Sequence, residues 1–307
     1  MSERLSLAQR AITHPLAAAL IRHSLSRLGA QRLPGLLRAY AAEPGAFYAD
    51  LEADISAVLR ASAQDLSACL RDLDAFNALT PDTENDAWYD QAAAFTSMHL
   101  DALLLGFSRR RLDMVAKHLS EHAIAHAVVL DVGSGSGRLA AMLLRQHPGW
   151  QAALVDRSPA AVAFSSAYLD ATGLARRAEC RRGDLAAIPF ADASFDVVVA
   201  AEVLEHTSDP AIGVAELLRV LKPGGRLAIS LPVDLDIAMH PTVFATEDAI
   251  LQFFSRLPLA LSRSDAVTAD RTLDAICDVF PDFKGCFNAT FVHTPTAQTR
   301  PSTPKTG

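Results

Sequence analysis

The chain has 307 residues, half of them apolar and about a fifth charged, with a net charge of −7 and an isoelectric point near 5.8. That length suffices for one large domain with an accessory one, and the acidic balance argues against a general nucleic-acid binder, which needs a basic surface. Cys69, Cys180, Cys277 and Cys286 are scattered and form no Cys-x-x-Cys pair, which predicts reduced thiols and a cytoplasmic protein.

Residues 1–120 read as helical. Segments 5–28, 33–40, 47–60 and 66–79 carry apolar residues three and four apart, and Pro34, Pro44-Gly45 and Pro81 punctuate them. The first 40 residues hold six arginines and one acid, Glu3. That is the balance of a transit peptide, but an amphipathic helix belonging to the fold is the preferred reading. The apolar run 15–21 is cut short by Arg22 and His23, too soon to cross a membrane. An acidic stretch, 82–90, reads as a hinge.

From Ala87 another helix is expected. Trp88, Phe95 and His99 fall on one of its faces, with Tyr89 and Met98 nearby. Such a stripe is either core or a lid over a substrate. Arg109, Arg110 and Arg111 follow, as a solvated face or as a clamp for a substrate carboxylate. His118, His122 and His126 recur every four residues, but the run leads into a strand at Val128, so no metal site is expected.

Residues 128–138 are the most informative of the chain. Val128, Val129 and Leu130 have the length and branching of a strand buried on both faces. Asp131 ends the run, and glycines follow at 133, 135 and 137. Glycine reaches positive φ and lets backbone approach a ligand. A helix then begins at Leu139. The order strand, glycine loop, helix marks a nucleotide-type site at the carboxyl end of a parallel sheet. A second strand, 152–155, ends in Asp156, 19 residues beyond Gly137, where a carboxylate can accept hydrogen bonds from both hydroxyls of an adenosine ribose. Asp184 closes a third strand. A fourth, 195–200, leads into Glu202, Glu205 and His206. A helix stopped by Pro223-Gly224-Gly225 precedes a fifth strand, 226–231. The loop reads Gly-x-Gly-x-Gly, not the Gly-x-Gly-x-x-Gly of dinucleotide sites, so a nicotinamide cofactor is disfavoured.

Taken together, residues 128–231 resemble the core of class I S-adenosylmethionine-dependent methyltransferases, in the branch that holds small-molecule and quinone-biosynthesis enzymes. The matching pieces are the 131–137 loop, Val155-Asp156 with Ser158-Pro159, Gly183-Asp184, the run from Pro189 to Asp196, and 219–225. The resemblance implies an α/β fold: a Rossmann-like seven-stranded, mostly parallel sheet with helices on both faces and an antiparallel last strand. It follows the α-helical N-terminal region. The division expected is 1–120 as substrate cover or oligomerisation region, 121–293 as the S-adenosylmethionine-binding domain, and 294–307 as a disordered tail rich in Pro, Thr and Ser. The resemblance also implies that S-adenosylmethionine is held by Gly133, Gly135, Asp156, Asp184 and Leu185. Asp131, Ser134, Gly137, Arg157, Ala201 and Glu202 complete the expected set. Asp131 and Asp184 could instead only brace their own turns.

The expected reaction is methyl transfer to an O, N, S or C nucleophile of a small molecule, with neither nucleic acid nor membrane as partner and the oligomeric state open. His206 is the candidate general base, although Glu205 and His206 could merely shape a turn. Residues 232–265, with Asp234, Asp236, Met239, His240 and Phe244, are the expected substrate wall, and 283–293 part of a closing hairpin. The alternatives are transfer or cyclisation of the aminocarboxypropyl arm, and a ligand-binding module without catalysis.

Overall fold

The computed structural model describes residues 57–63, 90–91, 93–94, 106–121, 124–237, 239–269 and 282–294. Its elements are α1 (Gly106–Ser120), β1 (Val128–Val132), α2 (Arg138–Gln146), β2 (Gln151–Asp156), α3 (Pro159–Ala171), β3 (Ala178–Arg182), β4 (Phe195–Ala201), α4 (Pro210–Val220), β5 (Leu221–Pro232), α5 (Glu247–Phe254), β6 (Leu259–Thr268) and β7 (Gly285–His293). The expected aromatic helix with Trp88, Tyr89, Phe95, Met98 and His99 lies outside the described residues, as do the side chain of Arg109, Cys69, Cys277 and residues 295–307.

The seven strands form one sheet in the order β3-β2-β1-β4-β5-β7-β6. The first five pair in parallel, while β7 runs antiparallel to both β5 and β6. Alternate side chains enter two separate cores, as the pleat demands. Val129, Val197 and Val199 face a layer built by α1, α2 and α3. Leu130, Val132, Val198 and Ala200 face α4 and α5. Both faces are therefore apolar, which is why β1 and β4 read as continuous hydrophobic runs.

Helix starts follow their caps. Ser158 accepts from the Ala161 N–H ahead of Pro159, Asp209 accepts from Ala211 ahead of Pro210, and Thr246 accepts from Ala249. One boundary departs from expectation. The fourth helix stops at Val220, and the strand already begins at Leu221, paired with Phe195. The Pro223-Gly224-Gly225 excursion is absorbed as a shift in register, with Gly224 at φ 77°. Another difference is β6: residues 259–265, expected in the substrate wall, belong to an edge strand whose exposed face shows no clean alternation. Its neighbour β7 is buried from Gly285 to Phe291 because it is sandwiched between β5 and β6; that burial on both faces explains its imperfect pattern.

The chain runs outward from β1 to β2 and β3, then returns to β4 on the other side of β1. The strand order thus reverses between β1 and β4, and in open α/β sheets ligands bind in the crevice beyond the carboxyl ends at that point. A hollow lined by Trp150, Asp196, Lys222 and Arg226 opens at the amino ends. It is on the wrong side of the sheet for this chemistry. Among the described residues no helix is long and apolar enough to cross a membrane.

Candidate active site

The turn after β1 is held by backbone. Gly133 and Ser134 both donate to the Val155 carbonyl, at 2.8 and 3.1 Å, and Gly137 donates to the Ser134 carbonyl at 2.8 Å. Gly133, Gly135 and Gly137 all sit at positive φ, but for different ends. A Cβ on Gly133 would lie 2.3 Å from the Val203 side chain, so packing requires glycine there. A Cβ on Gly135 would meet nothing within 4 Å. That open space above a left-handed backbone is a cradle, and any side chain would fill it.

Asp156 ties the cradle to the rest of the sheet. One of its oxygens accepts the Gly135 N–H and the other the Ser158 N–H, both at 2.9 Å. Each carboxylate oxygen keeps a second lone pair, enough for a pair of ribose hydroxyls. Burial raises the Asp156 pKa, against the pull of those N–H groups. Asp131 is more extreme. It is 3% exposed, and burial together with the charge of Asp156 pushes its pKa up to about 7, against a hydrogen bond from the Ala140 backbone. Its Oδ2 has no partner. A buried carboxylate with an orphaned oxygen, within the electrostatic reach of a second, partly buried one, makes a site short of positive charge. S-Adenosylmethionine brings an ammonium and a sulfonium, so the residues fit it.

The remaining expected contacts divide. Asp184 turns one oxygen onto its own turn, accepting from the Ala186 N–H at 2.8 Å. Leu185 packs over Gly213 and joins the second core. The Arg157 carbonyl accepts from Arg182 at 3.2 Å. Glu202 stands at φ 58°, held there by its N–H to the Ser230 carbonyl at 2.9 Å. A non-glycine residue in that region carries a backbone cost of about 1–3 kcal/mol that its surroundings must impose. Its carboxylate, however, is committed away from the glycine loop: Arg111 contacts it at 2.9 Å, and Ser230 Oγ and Cys286 Sγ donate to it at 3.2 Å. Arg111 is consequently not on a solvated face; its guanidinium is buried and its pKa lowered by that burial.

Beyond β4 a short turn, Leu204–His206, presents two ionisable groups. Glu205 is 1% exposed and neither carboxylate oxygen has a hydrogen-bond partner. Burial pushes its pKa up to about 8; the nearby N–H groups of Glu205 and Val203 and the Arg111 charge oppose this only in part. His206 Nδ1 lies 2.8 Å from the Met239 carbonyl, which fixes Nε2 as the unprotonated nitrogen of a neutral ring. Burial lowers its pKa to about 4, making it a weak base. His240 Nδ1 lies 3.1 Å from the Leu235 carbonyl, and the two imidazoles meet edge to face, centroids 4.9 Å apart. Part of the expected substrate wall, Met239 and His240, therefore does close over His206.

Sequence reasoning missed Asp90. Its Oδ1 accepts the Ser158 hydroxyl at 2.7 Å and the Ala160 N–H at 2.9 Å, and these bonds hold its carboxyl below the usual range. Asp90 thus caps the start of α3 directly beside Asp156. No local signal distinguishes this aspartate from the other acids of 82–90.

A twisted parallel sheet with a glycine loop and a carboxylate at its switch point defines a nucleoside-binding α/β domain. Comparison with known proteins makes that narrower. Residues 130–229 match the methyltransferase domain family. A demethylmenaquinone methyltransferase of Renibacterium salmoninarum is 32% identical over 183 residues, 59% of this chain and 70% of that one. Its counterpart from Thermus thermophilus is 33% identical over 125 residues, 41% and 53% of the two chains. The solved structure of the [4+2]-cyclase SpnF shares the fold at 21% identity and a TM-score of 0.52, covering 62% of this chain and 82% of that one. The chain belongs to the class I S-adenosylmethionine-dependent methyltransferase family. It spans about half the length of the first curated relatives it matches.

Asp156→Ala is expected to weaken S-adenosylmethionine binding by about 1.5–3 kcal/mol, the scale of hydrogen bonds to a charged group, with Gly135→Val as damaging or worse. Calorimetry on folded variants checks this; unchanged affinity in Asp156→Ala would remove it from the site. Asp131 supplies a pH test. An acid whose pKa rises on folding from 3.8 to about 7 takes up protons on folding, so its burial destabilises the fold progressively as pH climbs through that window. A bound cation prefers the ionised form. S-Adenosylmethionine affinity should therefore rise by up to about tenfold per unit towards pH 7, then fall above about 8 as the ligand's own amine loses its proton. Asp131→Asn should flatten the acid limb, and an unchanged acid limb in that variant would assign it to another group.

Proposed function

We propose that this chain transfers the methyl group of S-adenosylmethionine to a nucleophile on a small molecule. The observation that carries the reading is the trio of Gly135, Asp156 and Asp131: an open backbone cradle, a carboxylate braced beside it, and a second buried carboxylate lacking a cation. S-Adenosylmethionine, when bound, supplies a methyl group already activated on a sulfonium. The protein's share is then to bind, align and exclude water. Asp131 receives the ammonium, Asp156 the ribose hydroxyls, and the Gly183–Leu185 turn the adenine edge. Beyond Ala201, Glu205, His206 and His240 form the wall on the acceptor side. His206, oriented by the Met239 carbonyl, presents the lone pair of Nε2 on that side and serves as a weak base only where no other group occupies it.

The two demethylmenaquinone methyltransferases among the relatives support a small-molecule acceptor. Absence of a basic surface balance and the unpaired thiols of Cys180 and Cys286 support a cytoplasmic, biosynthetic role. The N-terminal region acts as cover. Its support is Asp90, which attaches that region to α3 at the edge of the cradle.

Mass spectrometry of the spent cofactor, with acceptor or cell extract, tests the reaction. S-Adenosylhomocysteine is the expected product. Methylthioadenosine above the spontaneous-decay control would overturn methyl transfer in favour of aminocarboxypropyl chemistry, and tight binding without any turnover over a broad acceptor panel would favour a non-catalytic module. For the cover, amide exchange in residues 88–99 should slow on addition of S-adenosylhomocysteine and slow much less in Asp90→Ala. Protection confined to 128–206 would remove the cover from the reading.

A further inference from the structure

We propose that Glu205, His206 and His240 form a binding site for a divalent transition-metal ion, with its open positions turned to an oxygen of the acceptor. One ligand atom from each of the three residues lies within 4.8 Å of the others, and His206 Nε2 is 4.0 Å from Glu205 Oε1. An ion about 2.1 Å from each donor holds its donors roughly 3–4 Å apart, so side-chain shifts of about an ångström close the site.

The surroundings are those of a ligand set. Each imidazole turns Nδ1 to a backbone carbonyl, Met239 for His206 and Leu235 for His240. That arrangement fixes the tautomer and directs the ε nitrogen as the donor, as in metal-bound histidines. Glu205 is almost wholly buried, yet both of its oxygens lack a hydrogen-bond partner. A buried carboxylate without partners costs several kilocalories per mole if charged, and such orphans in a folded protein call for an ion or a ligand. The nearest cation does not answer: Arg111 pairs with Glu202 instead, at 2.9 Å.

The three donors are also held before any ion arrives. Glu205 and His206 are adjacent on the tight turn after β4. The loop carrying His240 is pinned to that same turn, with the Thr242 hydroxyl on the Thr207 carbonyl at 2.7 Å and the Thr242 N–H on the Glu205 carbonyl at 3.3 Å. Two imidazoles and one carboxylate suit manganese, iron, cobalt or zinc rather than calcium or magnesium, whose ligands are oxygens. Three protein ligands leave positions open, as in catalytic rather than structural sites. They lie beyond β4, where the acceptor enters under the methyl-transfer reading; on that reading the metal selects acceptors bearing a hydroxyl, phenolic or carboxylate oxygen. The chain's histidine spacing predicts no metal, because His240 is 34 residues from His206 and only the fold joins them.

Cobalt(II) binding to the full chain tests the proposal, by titration calorimetry and by the visible d–d absorption of the bound ion. One Co²⁺ per chain is expected, with imidazole visible in the X-ray absorption fine structure. His240→Ala and Glu205→Gln should each weaken binding more than about tenfold, whereas Asp156→Ala should leave it unchanged. No stoichiometric Co²⁺ in the wild type, or wild-type affinity in a folded His240→Ala chain, would overturn the site. Should both variants fail to fold, a Co²⁺ spectrum of the wild type without two imidazoles does the same. Metal binding is measured without turnover, so a chain that takes Co²⁺ in this way but consumes no S-adenosylmethionine keeps the site and loses only the methyl-transfer reading.

Discussion

The Asp156 carboxylate accepts one N–H from the glycine loop, at Gly135, and another from the start of α3, at Ser158. Much of the ligand face depends on this double acceptance. The loop after β1 needs three positive-φ glycines to turn, and glycine loses more freedom on folding than any other residue. Without an acceptor at the end of the neighbouring strand, that loop would be the least ordered part of the sheet. Register does the rest. Val132 pairs with Val155, so the carboxylate at 156 arrives one residue beyond the pairing, level with the loop it must hold. Asp90 then adds a further acceptor at the same helix start, on the Ser158 hydroxyl and the Ala160 N–H, and negative charge is favoured at a helix amino end.

This solution has an electrostatic consequence. Asp131 lies on the α2 side of β1, buried and within the influence of Asp156. Burial makes both carboxylates harder to ionise, and the charge of Asp156 makes Asp131 harder still. A neutral residue at Asp131 would avoid the cost of burying a carboxylate with an unpartnered oxygen. Keeping both carboxylates favours a cationic ligand, whose charge stabilises the ionised form of Asp131. Binding and folding are then linked in sign: what destabilises the ligand-free domain near neutral pH is what selects a positively charged ligand.

The two halves of the site differ in how far the sequence reveals them. The geometry of the glycine loop and the Asp156 strand end, the proposed cofactor half, was legible because it is local. A β-branched run, Asp131, three glycines and a strand ending in Asp156 are all contiguous pieces, and parallel pairing brings their ends level. The seven-stranded, mostly parallel sheet with its antiparallel last strand followed from the same pieces through resemblance. Where reading failed, the cause was tertiary. β6 is an edge strand with little alternation, and β7 is buried on both faces, so neither shows a period of two. Arg111 sits in a run of three arginines that looks solvated, yet the fold buries it against Glu202. His240 is a lone histidine in an irregular segment, and nothing near it in the chain announces His206 as its neighbour.

Those tertiary contacts make α1 part of the site. By the sequence division it falls in the preceding helical region, yet it packs on β5, β6 and β7. Its buried His118 contacts Asp265 at 2.8 Å, and Arg111 reaches the end of β4. The Arg111 guanidinium serves two carboxylates, the partly buried Glu202 and the buried Glu205, and it neutralises the first at hydrogen-bond distance while only easing the second. Removing one partner of a pair largely withdrawn from water leaves the other charge poorly compensated. The strained φ of Glu202, its acceptance of Ser230 and Cys286, and the turn that displays Glu205 and His206 therefore stand or fall with a helix that precedes the glycine loop. The glycine-loop end of the crevice is built by neighbouring strands, whereas the end beyond β4 is assembled across the chain, from α1, the turn after β4 and the loop before α5. Under the proposed function, specificity for the acceptor would change through any of those three segments while the glycine-loop cradle stays as it is.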